Sequence, residues 1–222
     1  MNTSLLRLFQ LVSPSLPVGA YAYSQGLEYA VEKKWVNNEL DTLDWVMGML
    51  NHNLANLDVP LLKRLHSSWS DADIAQVRYW NSYLLASREA KELQLEDQHL
   101  GNALLRLLAQ LDVEHAKYGA EIKPVSFATM FAMAAVAWKI PLRDAVMGYV
   151  WSWLENQVAA AIKIVPLGQT AGQRILNHGV GVIPEVVDKG LALEDEVIGF
   201  MAPSMVMGCA EHEVQYSRLF QS

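Results

Sequence analysis

The sequence predicts an all-α fold: a single-domain multi-helix bundle over residues 1–222, with a central apolar helix pair. Three observations carry that prediction. Apolar residues recur with helical rather than strand spacing through almost the whole chain. Hydrophobic residues make up 52% of the 222 positions and charged residues 18%, which supplies one sizeable core and asks for no second one. Between Val125 and Ile183 the only charged residues are Lys139, Arg143, Asp144, Glu155, Lys163 and Arg174, so two helices from this region belong at the centre.

Residues 13–28 open the chain's pattern with a rigid lead into a helix. Pro14 and Pro17 fix the backbone, while Gly19 and Gly26 let it turn or approach another surface. A segment of that kind presents a shape and suggests binding. Leu43, Val46, Leu50, Leu54, Leu57 and Leu61 then trace one helical face, with Asn38 as cap and Asp41 three residues on. Ser70 and Asp73 repeat that capping pattern ahead of a helix carrying Ile74, Val77, Trp80, Leu84 and Leu85. The next stripe is Leu100, Leu104, Leu107, Leu108 and Leu111.

Residues 126–138 form the most apolar run. It is about thirteen residues long where a membrane span needs about twenty, and Lys139, Pro141, Arg143 and Asp144 follow it, so it reads as a buried helix. Pro141 suits the first turn of a long helix through Trp151, Trp153 and Ile162, closed by Pro166 and Gly168. Gly179, Gly181 and Pro184 are expected to break the helical pattern before the acidic residues 194–196. The last ten or so residues are expected to form a mobile tail.

Composition and motifs exclude several kinds of chemistry. A net charge of -7 with a pI near 5.3 opposes nucleic-acid binding, which needs clustered Lys and Arg. A single Cys209 and the lack of a cleavable leader make the cytoplasm the expected location. No phosphate loop is present, so GTP or ATP hydrolysis by this chain alone is not expected. The six histidines, at 52, 66, 99, 115, 178 and 212, include no pair at one-turn metal-binding spacing. Cys209 and His212, three apart, are the nearest approach to a metal site, and two ligands make a weak one. Arg88, Glu89, Lys91 and Glu92 read as local ion pairs on a solvated helix face. In residues 166–173, Gly168, Gln169, Gly172 and Gln173 combine a helix stop, two flexible positions and two amides. They either offer hydrogen bonds to a partner or cap a kink between core helices.

Three separated segments together resemble the urease accessory protein UreF family. They are Ser15-Leu16-Pro17-Val18-Gly19 with Tyr23-Ser24-Gln25-Gly26-Leu27-Glu28, then residues 166–173, then His212-Glu213-Val214-Gln215-Tyr216-Ser217-Arg218-Leu219-Phe220. Ser87-Arg88-Glu89 and Gly101-Asn102-Ala103-Leu104 are similar to the family's middle helices, and the order is collinear. The family often has Phe where Tyr21 stands and Arg where Gln221 stands. Gln221 therefore removes a bidentate donor and leaves Arg218 as the tail's guanidinium.

The resemblance implies an all-helical cytoplasmic protein that is not itself an enzyme. It would join a UreD/UreH-type scaffold and a UreG-type GTPase on apo-urease during incorporation of the nickel metallocentre. Nickel and GTP would be handled by the partners, with no cofactor bound tightly here, and the chain would form a homodimer. The residues implied to face partners are Ser15, Pro17, Gly19, Tyr21, Tyr23, Ser24, Gly26 and Glu28 in the first segment, and Gly168, Gln169 and Gln173 in the second. In a docking tail over residues 211–222 they are His212, Glu213, Tyr216, Arg218, Leu219 and Phe220, with Tyr216, Leu219 and Phe220 as apolar anchors. Two other roles stay open: regulation of the GTPase, with Lys163 and Arg218 as the basic residues, and a nickel relay through Cys209 and His212.

Overall fold

In the computed structural model, which describes residues 3–199 and 201–222, the chain runs through helices and no strand appears among the described residues. In order these are α1 (Ser4–Leu11), α2 (Leu27–Glu32), α3 (Glu39–Met49), α4 (Val59–Ser70), α5 (Ile74–Ala86) and α6 (Lys91–Gln110). There follow the short α7 (Ala116–Gly119), then α8 (Phe127–Ala137), α9 (Leu142–Ile164), α10 (Gln169–Leu191) and α11 (Pro203–His212).

Helix α8 is the centre. Its residues 128–135 are all buried, as its lack of charge requires, and Ser126 caps it by accepting from the Thr129 amide at 3.2 Å. Asn81 of α5 accepts from both the Ser126 amide and the Thr129 hydroxyl at 2.9 Å. Trp69 of α4 donates its indole N–H to the Thr129 carbonyl at 3.0 Å. These bonds fix which way α4 and α5 pack on α8. Helix α9 forms the second member of the central pair and lies along α10. The two approach closely because Gly172 and Gly179 carry no Cβ. At Gly179 one would meet Leu154 Cδ2 at 2.2 Å, and at Gly172 Ile162 Cδ1 at 2.5 Å.

The expected face from Leu43 to Leu61 is buried as predicted, apart from a half-buried Leu43. Its backbone is not uniform: Leu50–Asp58 is π-helical, between α3 and α4. Pro60 explains part of this. It has no N–H to return to the Asn56 carbonyl, and the Gly199 amide takes that acceptor instead at 3.2 Å.

Three expectations need correction. The cap ahead of α5 is Asp73, which accepts from the Gln76 amide at 3.0 Å, while Ser70 ends α4 and donates back to the His66 carbonyl. The Gly179, Gly181 and Pro184 run does not end α10, which continues to Leu191. The carbonyl four residues before Pro184, which the proline nitrogen cannot answer, belongs to exposed Val180. The tail expected to be mobile is tied down at His212 and over residues 218–222.

Candidate partner-docking site

Residues 13–28 and 212–222 build one structure from opposite ends of the chain. Gly26, at φ +80°, crosses α11 so closely that a Cβ would stand 3.0 Å from the Cys209 nitrogen. That crossing sets Ser24 and Gln25 beside the tail. The amides of Ser24 and Gln25 donate to the Ser222 carbonyl at 2.8 and 3.1 Å, and the Ser24 hydroxyl donates to the same oxygen. The Gln221 amide returns a bond to the Ala22 carbonyl at 2.7 Å. Glu28 receives the amides of Leu219 and Phe220, one on each carboxylate oxygen, at 2.7 and 2.9 Å. The main-chain groups at the end of the tail, from the Leu219 amide to the Ser222 carbonyl, are thus answered by the N-terminal segment.

Side chains complete the clasp. Phe220 is 6% exposed and packs among Leu27, Ala30, Val36, Ala160, Ala161 and Val165, with the Lys163 ammonium 5.4 Å above its ring. His212 is fully buried between two carboxylates, with Nδ1 2.9 Å from Glu92 and Nε2 3.2 Å from Glu28. Arg218 donates to the other oxygen of Glu92 at 3.2 Å. Burial raises the Glu92 carboxyl above its usual range, opposed by His212 and Arg218. Gln25 has φ +54°, a left-handed conformation uncommon for its type. Its amide holds it there, accepting from the Trp153 indole at 2.7 Å and donating to Glu96 at 2.7 Å.

The residues implied to face partners therefore fall into two sets. Tyr23, Ser24, Gly26, His212 and Phe220 are buried, and half-buried Glu28 is spent on the tail. Tyr23 donates to or accepts from His99 Nδ1 at 3.1 Å. Ser15, Pro17 and Gly19 are exposed, and Tyr21 is half-buried. Glu213, Arg218, Tyr216 and Leu219 are also exposed, the last at 65%, and Val214 joins them at 79%. Tyr216 stands wholly in solvent. Of the three expected anchors, Phe220 is thus inside its own chain, and the outward ridge is Val214, Tyr216 and Leu219. Gly168, Gln169 and Gln173 are exposed at the start of α10, and the neighbouring Val165 and Leu167 pack in the same cluster as Phe220. The structure thereby brings the second segment next to the tail and leaves its amides facing solvent, against the alternative in which they cap an internal kink.

The sequence reading missed the partners of the middle helices. Arg88 is not on a solvated face: it donates to Asp58 at 2.6 and 3.2 Å and to Asp97 at 3.0 Å, all three being largely buried. Tyr149 adds a hydrogen bond to Asp58 at 3.2 Å, and Asp97 accepts from the Phe127 amide at 2.7 Å. The only signal was the presence of charges on a stretch that also carried core residues.

The weak metal candidates are committed elsewhere. Burial, then Glu96, Glu92 and Glu213, push the Cys209 thiol well above its ordinary range, which keeps it protonated. His212 has both ring nitrogens at hydrogen-bond distance from carboxylates. Among the described residues no group of three or more His, Cys, Asp or Glu side chains is arranged to hold a metal ion. No described helix is long and apolar enough to cross a membrane.

Comparison with known proteins agrees with the resemblance. The UreF family model matches residues 36–179. A protein of Alkalilimnicola ehrlichii named urease accessory protein UreF is 50% identical over 216 residues, covering 97% of this chain and 95% of its own. A protein of the same name from Teredinibacter turnerae is 48% identical over 222 residues and covers both chains completely. One from Hahella chejuensis is 44% identical over 219 residues, covering 99% and 98%. The family match begins after the first segment and ends before the tail, and these relatives extend the likeness over both.

Proposed function

The chain belongs to the UreF family of urease accessory proteins, and we propose that it acts there as a non-catalytic adaptor in the cytoplasm. It joins a UreD/UreH-type scaffold to a UreG-type GTPase on apo-urease while the nickel metallocentre is incorporated. Nickel and GTP are handled by those partners, and the adaptor works as a homodimer. The observation that carries this reading is the clasped tail. It spends the backbone of residues 219–222 and the Phe220 ring on its own chain, yet holds Val214, Tyr216 and Leu219 outward. Exposed apolar residues on a rigid support are what a docking anchor needs, because little freedom is left to lose on binding. The tail meets the scaffold, and the exposed residues 15–19 contribute to the surface that meets the GTPase.

Co-purification of this chain with the two partners tests the reading. All three are expected in one complex, and a chain that retains neither partner contradicts it. A second reading, regulation of GTP turnover in the partner, is favoured by the placement of Lys163 and Arg218. These two cations flank Phe220, at its ring and two residues before it. Single-turnover GTP hydrolysis by the GTPase, with and without this chain, separates them: the adaptor reading expects the same rate, and regulation expects a slower or faster one.

A further inference from the structure

The adaptor reading makes no use of Glu96, which stands in α6 at 4% exposure. One oxygen accepts from the Gln25 amide at 2.7 Å and the other lies 3.1 Å from the Ser222 hydroxyl. Gln25 is held in turn by Trp153 of α9, and the Ser222 carbonyl is held by the amides of Ser24 and Gln25. The carboxyl therefore straddles the seam between the N-terminal segment and the tail. The Gln25 amide and the Ser222 hydroxyl both donate to the carboxyl and so favour its ionised form, while its burial and the adjoining Asp97 favour the neutral one. An ionised carboxyl leaves a charge at a position only 4% exposed.

We propose that Glu96 is a positioning residue for the docking tail and works as a proton-operated latch, closed when its carboxyl is neutral and loosened when it ionises. The proposal rests on the adaptor reading for its consequence, since loosening withdraws the fixed base of the Tyr216 and Leu219 ridge.

The surroundings favour the neutral form in the closed state. On its own helix, Asp97 adjoins Glu96 and Glu92 lies one turn before it. Arg88 approaches from the preceding loop with its charge shared between Asp58 and Asp97. Tyr23 faces it from the N-terminal segment and Cys209 from α11. Asp58, Tyr149 and Tyr21 line the same cavity of about 100 Å³. Burial raises the Glu96 carboxyl from 4.5 to about 7, with Asp97 adding to the rise and Gln25, Ser222 and Arg88 opposing it.

Opening the tail admits water and returns the group towards 4.5, its ordinary value. Between the two values the closed state holds a proton that the open state has lost, so opening grows by roughly tenfold per pH unit as pH rises. Above about 7 both states are ionised and the dependence levels off.

Amide hydrogen exchange on the full chain, from pH 5.5 to 8.5, tests the latch by comparing wild type with Glu96→Gln. The amide of Gln reproduces the neutral acid, and taking the ratio of the two proteins at each pH cancels the chemical exchange rate. For the amides of Leu219, Phe220 and Gln221, the wild-type to variant ratio is expected to climb roughly tenfold per unit up to about pH 7 and then flatten. A ratio that is flat throughout overturns the latch. Should Glu96→Gln fail to fold, carboxyl carbon-13 titration of the wild-type protein decides. Titration of Glu96 in step with the tail amides supports the latch, and titration without any response of the tail overturns it. Both readouts are intramolecular, so their failure is distinct from a failure to bind the scaffold.

Discussion

Gly26 and Gly19 share a left-handed backbone, at φ +80° and +86°, and differ in what surrounds them. A Cβ at Gly19 meets nothing within 4 Å, whereas at Gly26 it meets the backbone of α11 at 3.0–3.2 Å. Gly19→Ala is therefore expected to cost only the conformational strain, about 1–2 kcal/mol. Gly26→Ala adds an overpacking cost of about 1–3 kcal/mol and loosens the tail. Urea unfolding of both variants checks the order, and equal midpoints would contradict it. Arg88 provides a harsher case. Arg88→Met leaves Asp58 and Asp97 buried without their cation, with an expected loss of about 3–5 kcal/mol by the same measurement. Residue by residue, the sequence showed which positions matter better than why. Ser24, Glu28 and Phe220 stood out within motifs, but their partners lie almost two hundred positions away, beyond any local pattern. Glu92 reads in the sequence as part of a solvated helix face and is buried against His212 and Arg218, and nothing singles out Glu96, because a carboxylate in a helix looks the same whether it faces water or a buried histidine.

At the scale of the element, periodicity served where burial is one-sided or complete. Helix α8 and the face from Leu43 to Leu61 were legible for that reason, and so was the Asn38 cap, which accepts from the amides of Leu40 and Asp41 at 2.9 and 3.0 Å. The failures came from reading glycine and proline as breakers. In α10 they sit inside a helix whose packing against α9 outweighs their poor propensity. Gly179 is there for closeness and Gly181 has no neighbour within 4 Å. Gly181→Ala is accordingly expected to stabilise the protein by about 0.5–1 kcal/mol. Gly179→Ala is expected to destabilise it by about 1–3 kcal/mol, since the new Cβ forces the fully buried Leu154 side chain out of its place. Thermal melts giving the same sign for both would refute the packing argument. The π-helical stretch was illegible, because its cause combines Pro60 with an acceptor claimed by Gly199 from far along the chain.

The whole molecule joins its two ends into one device, and the joining separates folding from recognition. Phe220, His212 and Glu28 keep the tail in place, so their loss changes stability and presentation together. Tyr216 and Leu219 touch little of their own chain, so their loss is expected to leave stability within about 0.5 kcal/mol. That contrast makes the adaptor reading directly testable by calorimetric titration of the UreD/UreH-type scaffold into wild-type chain and the Tyr216→Ala, Leu219→Ala double variant. The account predicts an unchanged melting temperature and an affinity weakened at least about thirtyfold, the value of one or two anchor residues at about 2 kcal/mol or more. A folded double variant that binds the scaffold as tightly as wild type would contradict it.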